Sequence, residues 1–153
     1  MFSILRKKHT EFFTAEEQHA IKQAVEQAEK LTSGEIRVYV ESHCRFMDAI
    51  DRAAEIFYSI KMENTKQRNG VLVYVAMKDK QLAVFADEGI FTKAGKGFWS
   101  DAVKKMLSHF NKDNYAAGVA AVVDEVGKAL AFHFPYDAAT DKNELSDDIV
   151  FGK

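Results

Sequence analysis

The chain of 153 residues is 47% hydrophobic and 29% charged, with one Pro and eight Gly, the profile of a single folded, helix-rich domain long enough to bury a sizeable core. Its formal net charge of -2 and pI near 6.2 leave no electrostatic footprint for a nucleic-acid partner. A single cysteine, Cys44, excludes an intrachain disulfide and a cysteine-based zinc cluster, and it fits a reducing compartment.

The chain starts MFSILRKKHTEFF, with apolar residues first and Arg6, Lys7 and Lys8 after them. A signal peptide has the charges first and a longer apolar stretch behind them. No apolar run approaches the roughly 18 residues of a transmembrane helix. The expected form is a soluble, cytoplasmic protein. Residues 1–13 read as an N-terminal arm, frayed or in weak contact with anionic lipid through Phe2, Ile4, Leu5 and the basic triplet. One short turn buries too little apolar area to favour the lipid contact.

Thr14-Ala15-Glu16-Glu17 is a capping box that opens the main body, residues 14–136. Ile21, Ala24, Val25, Ala28 and Leu31 follow at helical spacing, and Gly34 suits the position just past the helix end. Glu35 to Glu41 alternates, with Ile36, Val38 and Val40 on one face, which is the pattern of a half-buried strand. Asp48 to Met62 reads as the next helix, with Ile50, Ala53, Ala54, Phe57 and Ile60 inward. Val71 to Met77 is apolar at almost every position, as in a central strand buried on both faces. A strand, a helix and a strand make the first and second strands parallel, joined by a right-handed crossover. Lys78-Asp79-Lys80 is a polar turn, and Gln81 to Ala86 returns as an antiparallel third strand.

Beyond Gly89, the residues Phe98, Trp99, Val103, Met106, Leu107 and Phe110 define a third helix. Asn114 can cap a fourth, with the stripe Tyr115, Val119, Val122, Val126 and Leu130, which Pro135 stops. Residues 137–153 form an acidic tail whose Ile149-Val150-Phe151 could pack back on the body or add an edge strand. The architecture expected is therefore α/β: a small mixed sheet of three to four strands, a β-α-β crossover plus a hairpin, sandwiched between helices.

In that topology the parallel strands start at one edge of the sheet and the antiparallel third strand ends there. Glu35, Arg68, Asn69, Asp87 and Glu88 converge from three segments, and Asp101 joins them if the third helix starts nearby. Carboxylates with an amide and backbone carbonyls are hard oxygen donors suited to Ca²⁺ or Mg²⁺, and a divalent cation relieves their mutual repulsion. The expected metal set is Glu35, Asn69, Asp87, Glu88 and Asp101. The plainer alternative is solvated strand-end acids partly paired with Arg68. Asp137 to Glu144 lacks the glycine and terminal glutamate of an EF-hand loop and reads as a solvated tail. The five histidines show no HExxH pairing, there is no GxSxG elbow and no Walker loop, and Cys44 reads as a small buried thiol rather than a nucleophile beside His43. Phe98-Trp99 beside Gly89, Gly95 and Gly97 could line a pocket; at helical spacing with Val103 the pair reads as core.

Three segments, SGEIRVYVE at Ser33–Glu41, RNGVLVYVAMKDKQLAVFADEGI at Arg68–Ile90 and NYAAGVAAVVDEVGKAL at Asn114–Leu130, resemble the TPM-domain family. That family takes its name from plant thylakoid-lumen and photosystem-repair proteins and includes bacterial and animal membrane proteins. The chain looks like its short soluble bacterial form. Where the commoner pattern after the hairpin is glycine, aromatic, glycine, this chain has Asp87, Glu88 and Gly89. The resemblance implies an α/β sandwich and divalent-cation binding, calcium in particular, at loops around one sheet edge. It implies an accessory or interaction domain, with a membrane-anchored protein as a partner class. The enzymic alternative is a metal-assisted phosphohydrolase like the acid phosphatase ascribed to plant members, with Arg68 clamping phosphate. A monomer is expected.

Overall fold

The computed structural model describes residues 12–137 and 148–152. Helix α1 (Ala15–Glu29) starts on the expected capping box: Thr14 Oγ1 accepts from the Glu17 N–H at 3.1 Å, and Glu17 Oε1 accepts from the Thr14 N–H at 2.9 Å. Its inward stripe is Ile21, Val25 and Ala28. Leu31 lies past the helix end and is 66% exposed. Gly34 is not the helix stop, because the helix is capped at Lys30. It serves a close approach instead: a Cβ there would stand 2.7 Å from Leu130 Cδ2 and 3.1 Å from the Asn69 carbonyl. Phe13, the last residue assigned to the arm, is buried in the core, so packing begins ahead of the capping box. The lipid-contact residues Phe2 to Lys8 lie outside the described residues, as does most of the acidic stretch Asp137 to Glu144.

Strands β1 (Glu35–Glu41), β2 (Gly70–Ala76), β3 (Gln81–Ala86) and β4 (Val150–Phe151) form one sheet in the order β3-β2-β1-β4. β1 and β2 are parallel with Glu35 opposite Gly70, and β2 and β3 are antiparallel with Val71 opposite Ala86. Every residue of β2 is buried, which is what its unbroken apolar run requires. β4 pairs parallel with β1, so the end of the chain supplies the edge strand that its apolar triplet allowed.

One face of the sheet carries Ile36, Val38, Val40, Val71, Val73 and Val75 into the larger core. The other carries Leu72, Tyr74 and Ala76 against α2 (Ala49–Ser59). The inward residues of α2 are Ala53, Ile56 and Phe57, whereas Ile50 is 48% exposed. The stripe is rotated from the expected one toward Ile56, while Phe57, common to both, packs on Phe85 of β3 with ring centroids 4.9 Å apart. After β3 the chain forms α3 (Glu88–Ala94), a short helix unforeseen in the sequence because glycines flank and interrupt it. Gly95 at φ 89° makes the break, and α4 (Lys96–Phe110) and α5 (Tyr115–His133) follow. The expected stripe of α5 is inward, and Pro135 beyond its end bridges to Thr32. Helices α1, α4 and α5 thus cover one face of the sheet and α2 the other.

Candidate functional site

The register brings three chain segments to one edge. Glu35 starts β1, Asn69 precedes β2, and Asp87 follows β3, its N–H donating to the Gly70 carbonyl at 2.9 Å. Each of these three residues is only 2% exposed. Arg68, with φ 51°, turns its guanidinium onto Asp87: Nε donates to Oδ2 at 2.7 Å and Nη2 to Oδ1 at 2.8 Å. Its Nη1 stands 2.8 Å from Glu88 Oε1. Asp87 is also the N-cap of α3 and accepts from the Glu88 N–H at 2.8 Å, where the positive end of the helix suits an anion. The Asp87 hydrogen bonds raise the Arg68 guanidinium further above its ordinary value.

Gly89 locks the two loops together. Its N–H donates to the Arg68 carbonyl at 2.8 Å. A Cβ on it would lie 2.1 Å from the Gln67 carbonyl oxygen and 2.5 Å from that of Arg68. Only a residue without a side chain lets the Asp-Glu-Gly turn press against the Arg-Asn-Gly turn. Asn69 donates through Nδ2 to Ser33 Oγ at 3.3 Å, and its N–H donates to Thr65 Oγ1 at 3.3 Å.

Of the five residues expected to hold a metal, Glu35, Asn69, Asp87 and Glu88 come from strand ends at this edge. Asp101 is exposed on α4 and makes no hydrogen bond or ion pair with them. Among the described residues no three His, Cys, Asp or Glu side chains are grouped so as to hold a metal ion. Asp87 presents both oxygens to Arg68, so a cation there competes with the guanidinium for them. Beside this edge lies a polar cleft of about 410 Å³ between Ser33, Gln67, Lys93, His133 and Asp137, where Lys93 Nζ stands 4.5 Å over the Phe134 ring.

The opposite end of the sheet holds a second cluster that the sequence reading passed over. Glu41, 4% exposed, accepts from Arg52 Nε at 2.9 Å and Nη2 at 3.0 Å, and the hydroxyl of fully buried Tyr74 donates to the same carboxylate. Burial first, and then the bond to Glu41, raise the Tyr74 phenol; the bond to Glu41 raises the Arg52 guanidinium. The available signal was a tyrosine in the middle of an otherwise apolar strand, which demands a buried partner. His43 Nδ1 lies 2.9 Å from Asp79 Oδ1, and the Cys44 N–H donates to Asp79 Oδ2 at 2.7 Å. The His43 imidazole therefore serves the hairpin turn. Cys44 is buried, with its thiol donating to the Met47 carbonyl at 3.3 Å. Trp99 is core, as its spacing indicated: it is 5% exposed and stacked on Phe91.

The TPM domain profile matches residues 7–129 of the chain. The solution structure of the BA42 protein from the psychrophilic bacterium Bizionia argentinensis is 40% identical, with a TM-score of 0.84 over 92% of this chain and 96% of that one. The N-terminal domain of cg2496 from Corynebacterium glutamicum, 13% identical with a TM-score of 0.60 over 77% of this chain and 74% of that one, shares the fold. No protein of curated function matches the chain. Among the described residues no helix is long and apolar enough to cross a membrane.

Proposed function

The chain belongs to the TPM-domain family, and from that premise we propose that it is an accessory domain that binds a divalent cation, calcium before magnesium, at the Asp87–Glu88 edge of the sheet. The observation that supports this reading is one guanidinium facing two carboxylates, Asp87 buried and Glu88 72% exposed in its side chain. The Arg68 side chain is itself 38% exposed, so it can swing into water and leave hard oxygen donors to a cation. Calcium, which accepts irregular oxygen shells, suits an edge assembled from three loops better than magnesium, which demands an octahedron. The phosphohydrolase reading is weaker because its phosphate clamp, Arg68, is engaged by two carboxylates.

Thermal unfolding with and without calcium tests the reading. A ligand that binds only the native state stabilises it by about 2.7 kcal/mol at a hundred times its dissociation constant. At roughly 2–4 °C per kcal/mol for a domain of this length, Tm rises by several degrees. Asp87→Asn and Glu88→Gln each shrink the rise. Arg68→Met enlarges it, because the competing cation is gone. Asp141→Asn leaves it unchanged. A tail variant that loses the response while the hairpin variants keep it moves the site to Asp137 through Glu144. No response of the native chain or of Arg68→Met to either ion leaves a plain ion pair at the edge.

A further inference from the structure

The two edges of the sheet end differently. β4 lies along β1, whereas β3 is the outer strand on its side. The Asp87 N–H bond to Gly70 and the register direct the backbone groups of Gln81, Ala83 and Phe85 toward β2, so those of Leu82, Val84 and Ala86 point outward. No described residue hydrogen-bonds to these outward groups. Soluble proteins usually blunt such an edge with charge, proline or a bulge. The segment Gln81–Ala86 has no charged residue, no proline and an unbroken register.

Two helices overhang this edge from opposite faces and make a slot of about 650 Å³ with Leu82, Ala83 and Val84 as its floor. Ala49 and Ile50 of α2 form one wall, and Trp99 and Val103 of α4 the other. Ile50 is 48% exposed, and Phe91 at the rim is 40% exposed. Asp48, whose side chain makes no capping bond, stands on the α2 side, and exposed Lys104 on the α4 side.

We propose that this slot receives an extended apolar segment of a partner protein, which adds to the sheet as a further strand beside β3. The outward N–H and C=O groups of Leu82, Val84 and Ala86 supply main-chain pairing. Successive side chains of the added strand fall alternately toward Trp99 and Val103 and toward Ala49 and Ile50. Both walls are apolar, so the segment is apolar at consecutive positions, as β2 is. Asp48 and Lys104 complement a basic residue on one side of it and an acidic one on the other. A second copy fits less well, since its β3 is flanked by the same overhanging helices, which meet these before the strands can pair.

The probe is a fluorescein-labelled peptide of four alternating valine and isoleucine residues between a lysine and a glutamate, which puts the two charges on opposite faces of the strand, titrated with the full chain by fluorescence anisotropy. Saturable binding is expected, weakened at least ten-fold by Ile50→Glu at an exposed wall position. Val84→Pro removes one outward N–H without touching the bonds to β2 and gives a similar loss. The same peptide N-methylated at alternate amides, which keeps its side chains but cannot pair, binds at least ten-fold more weakly. Equal binding of the methylated peptide overturns strand addition, and absence of saturable binding overturns the docking site. Sedimentation showing a dimer that Ile50→Glu dissociates assigns the edge to a second copy and overturns the partner segment.

Discussion

The two ends of the sheet carry the same chemical device in two settings. At one end Arg68 holds Asp87 with two hydrogen bonds, and at the other Arg52 holds Glu41 with two; both carboxylates are almost fully buried. Glu41 has a third donor in Tyr74, and its arginine projects from a helix that lies on the sheet. Asp87 is held by an arginine on a loop at positive φ, and a second, exposed carboxylate competes for the same guanidinium. Burial of an ion pair therefore does not separate a structural lock from a candidate site. What separates them is whether the cationic partner can leave and what donors remain when it does.

Removing each arginine sharpens that contrast and gives the largest expected effect. Arg52→Met leaves Glu41 buried with Tyr74 alone, and breaking a buried pair in this way costs about 3–5 kcal/mol. Arg68→Met leaves Asp87 with the Glu88 N–H and the start of α3, so the loss is smaller. Urea unfolding of both variants measures the difference. Calcium is expected to restore stability to Arg68→Met and to do nothing for Arg52→Met. Equal losses, with no recovery in either, would show that the two ends are alike.

The next effect isolates backbone contact from charge. Gly89→Ala drives a Cβ into the carbonyls of Gln67 and Arg68 and is expected to cost about 1–3 kcal/mol, as overpacking does. Gly97→Ala, where a Cβ meets nothing within 4 Å, lies in α4 and is expected to stabilise by about 0.5–1 kcal/mol. Thermal melts of the two variants should move in opposite directions. A neutral Gly89→Ala would mean that the two turns can separate freely, and the Asp87 edge would lose its rigid frame.

How far the sequence reached follows the same division. The hairpin, the parallel pairing of β1 with β2 and the capping box of α1 were legible because each rests on local periodicity or turn chemistry. The convergence of Glu35, Asn69 and Asp87 followed from topology alone, since strand direction determines which ends are neighbours. The partner of Asp87 was visible as a neighbouring guanidinium, whereas its two-point geometry depends on the positive φ of Arg68, which no pattern announces. The Glu41–Arg52–Tyr74 cluster was missed because its members are a strand end, a helix face and a strand centre far apart in the chain, and the one signal, a tyrosine inside an apolar strand, does not name its partner. Helix α3 was missed because seven residues, with Gly89 second among them and Gly95 at their end, carry too little periodicity to register.

The smallest expected effect lies at the hairpin turn, close to the Glu41 lock yet exposed to water. The hydrogen bond to His43, with help from the Cys44 N–H, holds the Asp79 carboxyl below its ordinary value. An acid whose folded-state value is depressed binds its proton less readily folded than unfolded. Its contribution to stability is present above the unfolded value of about 4 and is lost as pH falls through the folded one. Asp79→Asn is therefore expected to melt below the native chain at pH 6, with the gap closing as pH falls from about 4 toward 2. Taking the difference between the two melting curves cancels the titration of the other carboxylates, which both proteins share. His43→Gln is expected to narrow the gap only in part, because the Cys44 N–H still binds Asp79. A gap that stays constant down to pH 2 would mean that Asp79 acts through shape at the turn, leaving its charge without a role there.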